Sequence, residues 1–169
     1  MTGAALRHAD AESALGPDEH EALRLWLRLF TTTTLVERVV DSALKREFGS
    51  SLPRFDLLAQ LHRAPDGLRM GELSERILVT NGNVTWLVAA LEREGFVKRR
   101  PDAADRRATV VRLTATGRRH FETMARAHEA LIADLFTELS PTERRALHGA
   151  LGSLKARFRT SPRTSDDRS

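Results

Sequence analysis

Met70 to Leu113 reads MGELSERILVTNGNVTWLVAALEREGFVKRRPDAADRRATVVRL, and the rest of the chain is organised around it. Leu73 and Ile77 stand one helical turn apart, so a short helix is expected to turn both inward. Val79-Thr80-Asn81-Gly82 follows, polar and glycine-bearing, and suits a reversal of the chain. Val84, Leu87, Val88 and Leu91 then recur at i, i+3, i+4, i+7, the apolar stripe of a second helix. Gly95 fits the left-handed residue that ends this helix, with Phe96 placed to pack back. The pattern is a helix-turn-helix, with Asn81, Gly82, Thr85, Trp86, Ala89 and Arg93 turned away from the stripe and Asn83 at its flank.

Phe96 to Arg100 and Thr109 to Leu113 are rich in β-formers, and Pro101 to Arg107 between them is rich in turn residues. This predicts a two-stranded hairpin with Arg106 and Arg107 near its tip. Between Arg93 and Arg119, nine basic residues face three acidic ones, a local +6 against +4 for the whole chain. A cationic hairpin beside a helix with an outward polar face suits a DNA backbone. Solvation of an ordinary core helix would account equally well for the polar face taken alone.

Several segments here resemble the MarR family of bacterial transcription regulators, which are winged-helix dimers. They are Gly71-Glu72-Leu73-Ser74, Leu91-Glu92-Arg93-Glu94-Gly95-Phe96-Val97, Arg99-Arg100-Pro101-Asp102 with Asp105-Arg106-Arg107, and Leu113-Thr114-Ala115-Thr116-Gly117. The similarity extends over roughly residues 20 to 158. It implies that Arg107, at the wing tip, enters a DNA minor groove and that Asp105 steadies it. Trp86 departs from the pattern, in which a small or polar residue is more usual. The DNA-contacting set expected on these grounds is Asn81, Asn83, Thr85, Trp86, Arg93, Asp105, Arg106 and Arg107.

Length and composition fit this reading. The 169 residues suffice for one domain with extensions, and 30% charged against 41% hydrophobic residues describes a globular chain. The positive balance favours anionic partners: DNA, ribosomal RNA or a membrane surface. The sequence has no cysteine, which excludes disulfides and thiol chemistry and agrees with a cytoplasmic location. No signal peptide and no membrane-spanning run is expected. None of the six histidines forms an HxxxH or HExxH pair, and neither a GxGxxG nor a GxxxxGK loop occurs. No metal, no cofactor and no enzymatic activity is therefore expected.

Outside the central stretch, residues 1–17 read as a disordered tail, with Asp18 a candidate cap for the helix that follows. A long helix is expected to Phe48, with Leu25, Leu29, Val36, Val40 and Leu44 on its stripe and Trp26, Phe30 and Val39 widening it. Thr31-Thr32-Thr33-Thr34 within it reads as a kink, a neutral run or a set of hydroxyls lining a cavity. Gly49 to Leu52 is a turn, and Pro53 opens a helix over Arg54 to Arg63. Beyond the wing, Thr114 caps a helix carrying Phe121, Met124, His128, Leu131, Leu135 and Leu139 on one side. Ser140-Pro141-Thr142-Glu143 starts another, with Leu147, Leu151, Leu154 and Phe158 on its stripe.

The fold class expected is mainly α with a small β-hairpin wing: a winged helix-turn-helix with N- and C-terminal dimerisation helices. Its parts are a tail at 1–17, a dimerisation helix at 18–48, the DNA-binding domain at 49–114, C-terminal dimerisation helices at 115–159 and a disordered tail at 160–169. The small central core cannot cover three long apolar stripes, so a homodimer is expected. Trp26, Arg28, Phe30, Phe55 and His62 are candidates for a small-molecule site. The resemblance implies such a site between the dimer helices and the winged domain, and the core default for aromatics at helical spacing stands beside it. Leu25 to Leu29, Leu52 to Leu58 and Asn81 to Thr85 look most like members answering to aromatic carboxylates or aromatic acyl-coenzyme A thioesters. The function expected is a palindrome-reading repressor of a catabolic or efflux operon, released by a ligand. A winged-helix module that binds protein instead of DNA is the rival, as is an enzyme using the interhelical space. Arginines placed for a minor groove argue against the first, and the lack of a nucleophile–base pair against the second.

Overall fold

The computed structural model describes residues 20–77, 84–102, 105 and 108–160. The expected tail at 1–17, the candidate cap Asp18, the turn Val79 to Gly82, and the site candidates Asn81, Asn83, Arg106 and Arg107 lie outside the described residues. So does the tail expected at 160–169, except Thr160. The chain divides into two compact units, the first ending at His128 and the second beginning at Glu129.

The first unit opens with α1, Glu21–Phe48, which runs unbroken through the four threonines. Thr34 Oγ1 donates to the Phe30 carbonyl at 2.9 Å, so this hydroxyl bonds within its own helix. The helix closes on Gly49 at φ 60, where the Gly49 and Ser50 amides return to the Lys45 and Leu44 carbonyls. Of the expected stripe, Val40 and Leu44 are buried. Leu25, Trp26, Phe30 and Val39 are exposed.

The second helix, α2, is Leu52–Arg63 and begins one residue before Pro53. Its first amide, that of Leu52, donates to Asp41 Oδ1 at 2.9 Å, so α1 supplies the cap that Ser51 does not. Burial pushes the Asp41 pKa up. The Lys45 ammonium, 2.6 Å away, and the Leu52 amide outweigh it and hold the carboxyl below its ordinary value.

The sheet has three strands, not the two expected. β1 (Leu68–Arg69) pairs antiparallel with β3 (Thr109–Leu113), which also pairs antiparallel with β2 (Val97–Pro101), giving the order β1-β3-β2. A two-residue strand shows no alternation, and its partner lies across the fold, so local pattern could not reveal it. Gly67 precedes it at φ 86, with Val111 O, Val110 Cγ1 and Arg112 Cγ all 2.5 Å from where a Cβ would sit. Only glycine lets the turn approach the sheet so closely.

Helix α3 (Met70–Arg76) and helix α4 (Val84–Arg93) flank the turn region. Leu57, Leu58 and Leu61 of α2, Leu73 of α3, Val88 and Leu91 of α4, Val97 and Val111 of the sheet, and Met124 form the innermost core. Met124 belongs to α5, Ala115–Leu135. Thr114 caps this helix as expected: its Oγ1 accepts the Gly117 amide at 2.9 Å and donates to the Gly95 carbonyl at 2.7 Å.

α5 ends at Leu135, short of the expected Leu139. The Phe136, Thr137 and Leu139 amides turn back to carbonyls three residues earlier. Pro141 disfavours helical geometry at Ser140, so one helix cannot run through to the next. In the second unit α6, Pro141–Thr160, starts from the expected capping box. Ser140 N donates to Glu143 Oε2 at 2.8 Å and Glu143 N to Ser140 Oγ at 3.3 Å. Leu147, Leu151, Leu154 and Phe158 are all exposed along α6. No described helix is long and apolar enough to cross a membrane.

Candidate nucleic-acid interface

Helix α4 buries Leu87, Val88, Ala90 and Leu91, with Val84 half-buried. Its other side carries Thr85, Trp86 and Arg93, all exposed. The helix ends as its sequence implies. Gly95 takes φ 77, its amide returns to Glu92 O at 3.0 Å, and the Phe96 amide returns to Leu91 O at 2.9 Å. Phe96 then stacks on His120 of α5, with ring centroids 4.3 Å apart and planes 5° from parallel.

The helix and the wing are tied by one side chain. The Arg99 amide on β2 donates to Glu92 Oε1 at 3.0 Å, and Arg99 Nε lies 3.3 Å from Glu92 Oε2. The same guanidinium reaches the Thr85 carbonyl at 3.4 Å. Arg99 thus lies against the first turn of α4, beside exposed Lys98 and Arg100 on its own strand. Read in the sequence as a strand residue and a charge, Arg99 is also a strut. Arg54 of α2 forms a second strut to Glu94, just past the helix C-terminus.

The wing is anchored at its other edge by a pair that sequence reasoning missed. Arg69 of β1 meets Asp102, immediately after β2, with Nε and Nη2 each 2.6 Å from Oδ2. The Asp102 carboxylate raises the Arg69 pKa above its ordinary value, and Asp105 and Glu72 act in the same direction. The pairing of both strands with β3 brings these residues together, and no spacing rule announces it. Asp105 was expected to steady Arg107, which lies outside the described residues. Its own carbonyl accepts the Ala108 amide at 2.9 Å, and its charge reaches Arg69. A shallow groove of about 400 Å³ runs between Arg69, Glu72 and Glu75 on one side and Ala108 and Thr109 on the other.

The candidates for a small-molecule site fall into two groups. Trp26 and Phe30 stack on each other along α1 at 5.8 Å, both exposed, and Arg28 is exposed near them in sequence. Phe55 and His62 of α2 are half-buried and join rings of α5. Phe55 lies 4.7 Å from His128 and 5.5 Å from Phe121, and His62 lies 4.8 Å from Phe121. His62 Nε2 is also 3.5 Å from Glu122 Oε1. Phe121 and His128 were legible as a helical stripe, but not as the partners of α2. Burial lowers the His128 pKa, and burial with the nearby Arg54 charge lowers that of His120, against an opposing pull from Glu94. Among the described residues, no cluster of three or more His, Asp or Glu is arranged to hold a metal ion.

Comparison with known proteins agrees with this geometry. The sequence profile described as MarR family matches residues 51–109. An HTH-type transcriptional regulator of Bacillus subtilis, YkoM, is 34% identical over 99 residues, which is 58% of this chain and 63% of that protein. The HTH-type transcriptional repressor YetL of the same organism is 31% identical over 138 residues, 81% of this chain and 82% of that one. Among solved structures, a MarR family regulator from Silicibacter pomeroyi is 33% identical with a TM-score of 0.73, covering 85% of this chain and 99% of that one. Sco3205, a MarR family regulator from Streptomyces coelicolor solved in complex with DNA, is 26% identical with a TM-score of 0.73, covering 89% and 96%. The chain belongs to the MarR family of winged-helix transcriptional regulators.

Proposed function

We propose that this chain is a DNA-binding transcriptional regulator that reads a palindromic operator as a homodimer. The observation that carries the reading is α4, with Thr85, Trp86 and Arg93 exposed, clamped by Arg99 to a strand whose Lys98 and Arg100 are also exposed. A helix of this kind fits the major groove, and the adjoining cationic hairpin fits the backbone and minor groove. Asn81 and Asn83 join the helix contacts, and Asp105, Arg106 and Arg107 those of the wing. The DNA complex of Sco3205 supports this reading.

The homodimer is supported by apolar side chains that stay exposed on two helices, Leu25, Trp26 and Phe30 on α1 and Leu147, Leu151 and Phe158 on α6. Two-fold pairing would cover them and set two copies of α4 one helical turn of DNA apart. We further propose a repressor released by a small ligand, an aromatic carboxylate or its acyl-coenzyme A thioester. Trp26, Phe30 and Arg28 would offer aromatic faces and a cation, and Phe55 and His62 the opposing rings. The repressor YetL supports the sign of regulation.

Duplexes from the region flanking the chain's own gene, titrated with and without benzoate-type acids and their thioesters, test both levels. Specific binding supports the regulator, and its loss with an effector supports the release mechanism. An effector should also raise the melting temperature, since it binds only the folded state. Responses unaltered in Trp26→Ala and Arg28→Ala would show the effector site to be elsewhere.

A further inference from the structure

Trp86 is 61% exposed in the first turn of α4. Among the described residues, every other exposed large apolar side chain lies on α1 or α6. Ala89 and Arg93 follow Trp86 at i+3 and i+7, on the side of the helix away from Leu87, Val88 and Leu91. Ala89 is small, so the indole dominates that face. The Arg99 guanidinium reaches the carbonyl of the neighbouring Thr85. The ring thus shares its helix face with exposed Arg93 and stands on a helix clamped to a strand bearing exposed Lys98 and Arg100, a setting suited to an anionic partner.

The chemistry of indole limits what it can read. It has one N–H donor, no acceptor and no charge, and its surface is otherwise a flat hydrocarbon. Along the major-groove edges of the four base pairs, the single apolar feature is the thymine C5-methyl group. We propose that Trp86 reads a thymine methyl in each operator half-site, making a T·A pair a specificity determinant of this chain. The proposal rests on the DNA-binding reading above and adds the base that is recognised.

A duplex library with a randomised centre, selected with the full chain, supplies a high-affinity sequence. Each thymine in it is then replaced by deoxyuridine, which removes only the methyl group, and affinity is measured by fluorescence anisotropy at fixed salt. Replacing one symmetric pair of thymines should weaken wild-type binding on the order of tenfold. Trp86→Ala should bind the thymine and deoxyuridine duplexes equally, while still unfolding in a single cooperative thermal transition. Trp86→Phe keeps an apolar ring without the N–H and should keep the discrimination. Indifference of the wild type to every replacement would overturn the proposal, as would full discrimination by Trp86→Ala. A wild-type chain that selects no sequence over random DNA would instead overturn the regulator reading, and the thymine contact with it.

Discussion

Arg69 and Asp102, separated by 33 positions, are joined by a two-pronged ion pair in which Nε and Nη2 both lie 2.6 Å from Oδ2. The pair holds the start of the wing loop to the edge strand at the head of α3. Asp102→Asn removes a negative charge from a cationic surface. Were the wing a diffuse basic patch, this change would tighten DNA binding. Because the pair positions the wing, operator binding should weaken instead, though only modestly for so exposed an arginine. Titration at two salt concentrations reads the sign, and tighter binding would sink the anchoring role.

Arg107→Ala should weaken operator binding by about 1–3 kcal/mol if its side chain enters a narrow minor groove. Arg106→Ala and Lys98→Ala should cost less and act alike on operator and random DNA. Equal losses for the three variants would leave only electrostatic attraction. Asp105→Ala belongs in the same series, with weaker binding expected if Asp105 orders the tip.

Gly117 is the tightest backbone approach among the described glycines. A Cβ there would lie 1.9 Å from the Phe96 carbonyl oxygen. Gly117→Ala should therefore destabilise the fold by about 1–3 kcal/mol or more, as the start of α5 is pushed off the turn after α4. Thr114→Ala loses the cap on the same contact and should cost about 1 kcal/mol. Urea unfolding midpoints measure both. A neutral Gly117→Ala would mean that the α5 start and the turn separate freely.

Acid should destabilise the first unit through its half-buried imidazoles His120 and His128. The pKa values of His120 and His128 are lowered in the folded state, so folding favours their neutral forms. Their contribution is complete above the unfolded value of about 6.5 and is lost as pH falls from there through the folded values. Unfolding midpoints between pH 8 and 5 should fall more steeply for wild type than for His128→Phe, which keeps the ring against Phe55. Identical slopes would remove His128 from the account.

The chain should sediment as a dimer at micromolar concentration. Ending it at Leu139 removes α6 with Leu147, Leu151, Leu154 and Phe158, and should cause loss of the dimer or aggregation of what remains. A well-behaved dimer of the truncated chain would show that α6 has no part in pairing.

The elements legible in the sequence were those specified by neighbours along the chain. The apolar row of α4, its stop at Gly95, the Thr114 cap and the Ser140–Glu143 box are interactions across three or four residues, so residue type and spacing suffice to announce them. The outward placement of Thr85, Trp86 and Arg93 follows from the same periodicity. What tertiary structure alone decided are contacts between segments distant in sequence. Leu68 and Arg69 become a strand only because β3 offers them partners, and that pairing brings Arg69 to Asp102. Asp41 caps a helix that begins eleven residues later, and Phe55 meets His128 because α2 and α5 pack in the same core. Local propensity is written residue by residue, whereas such meetings depend on how whole stripes bury against one another, a property of the assembled fold.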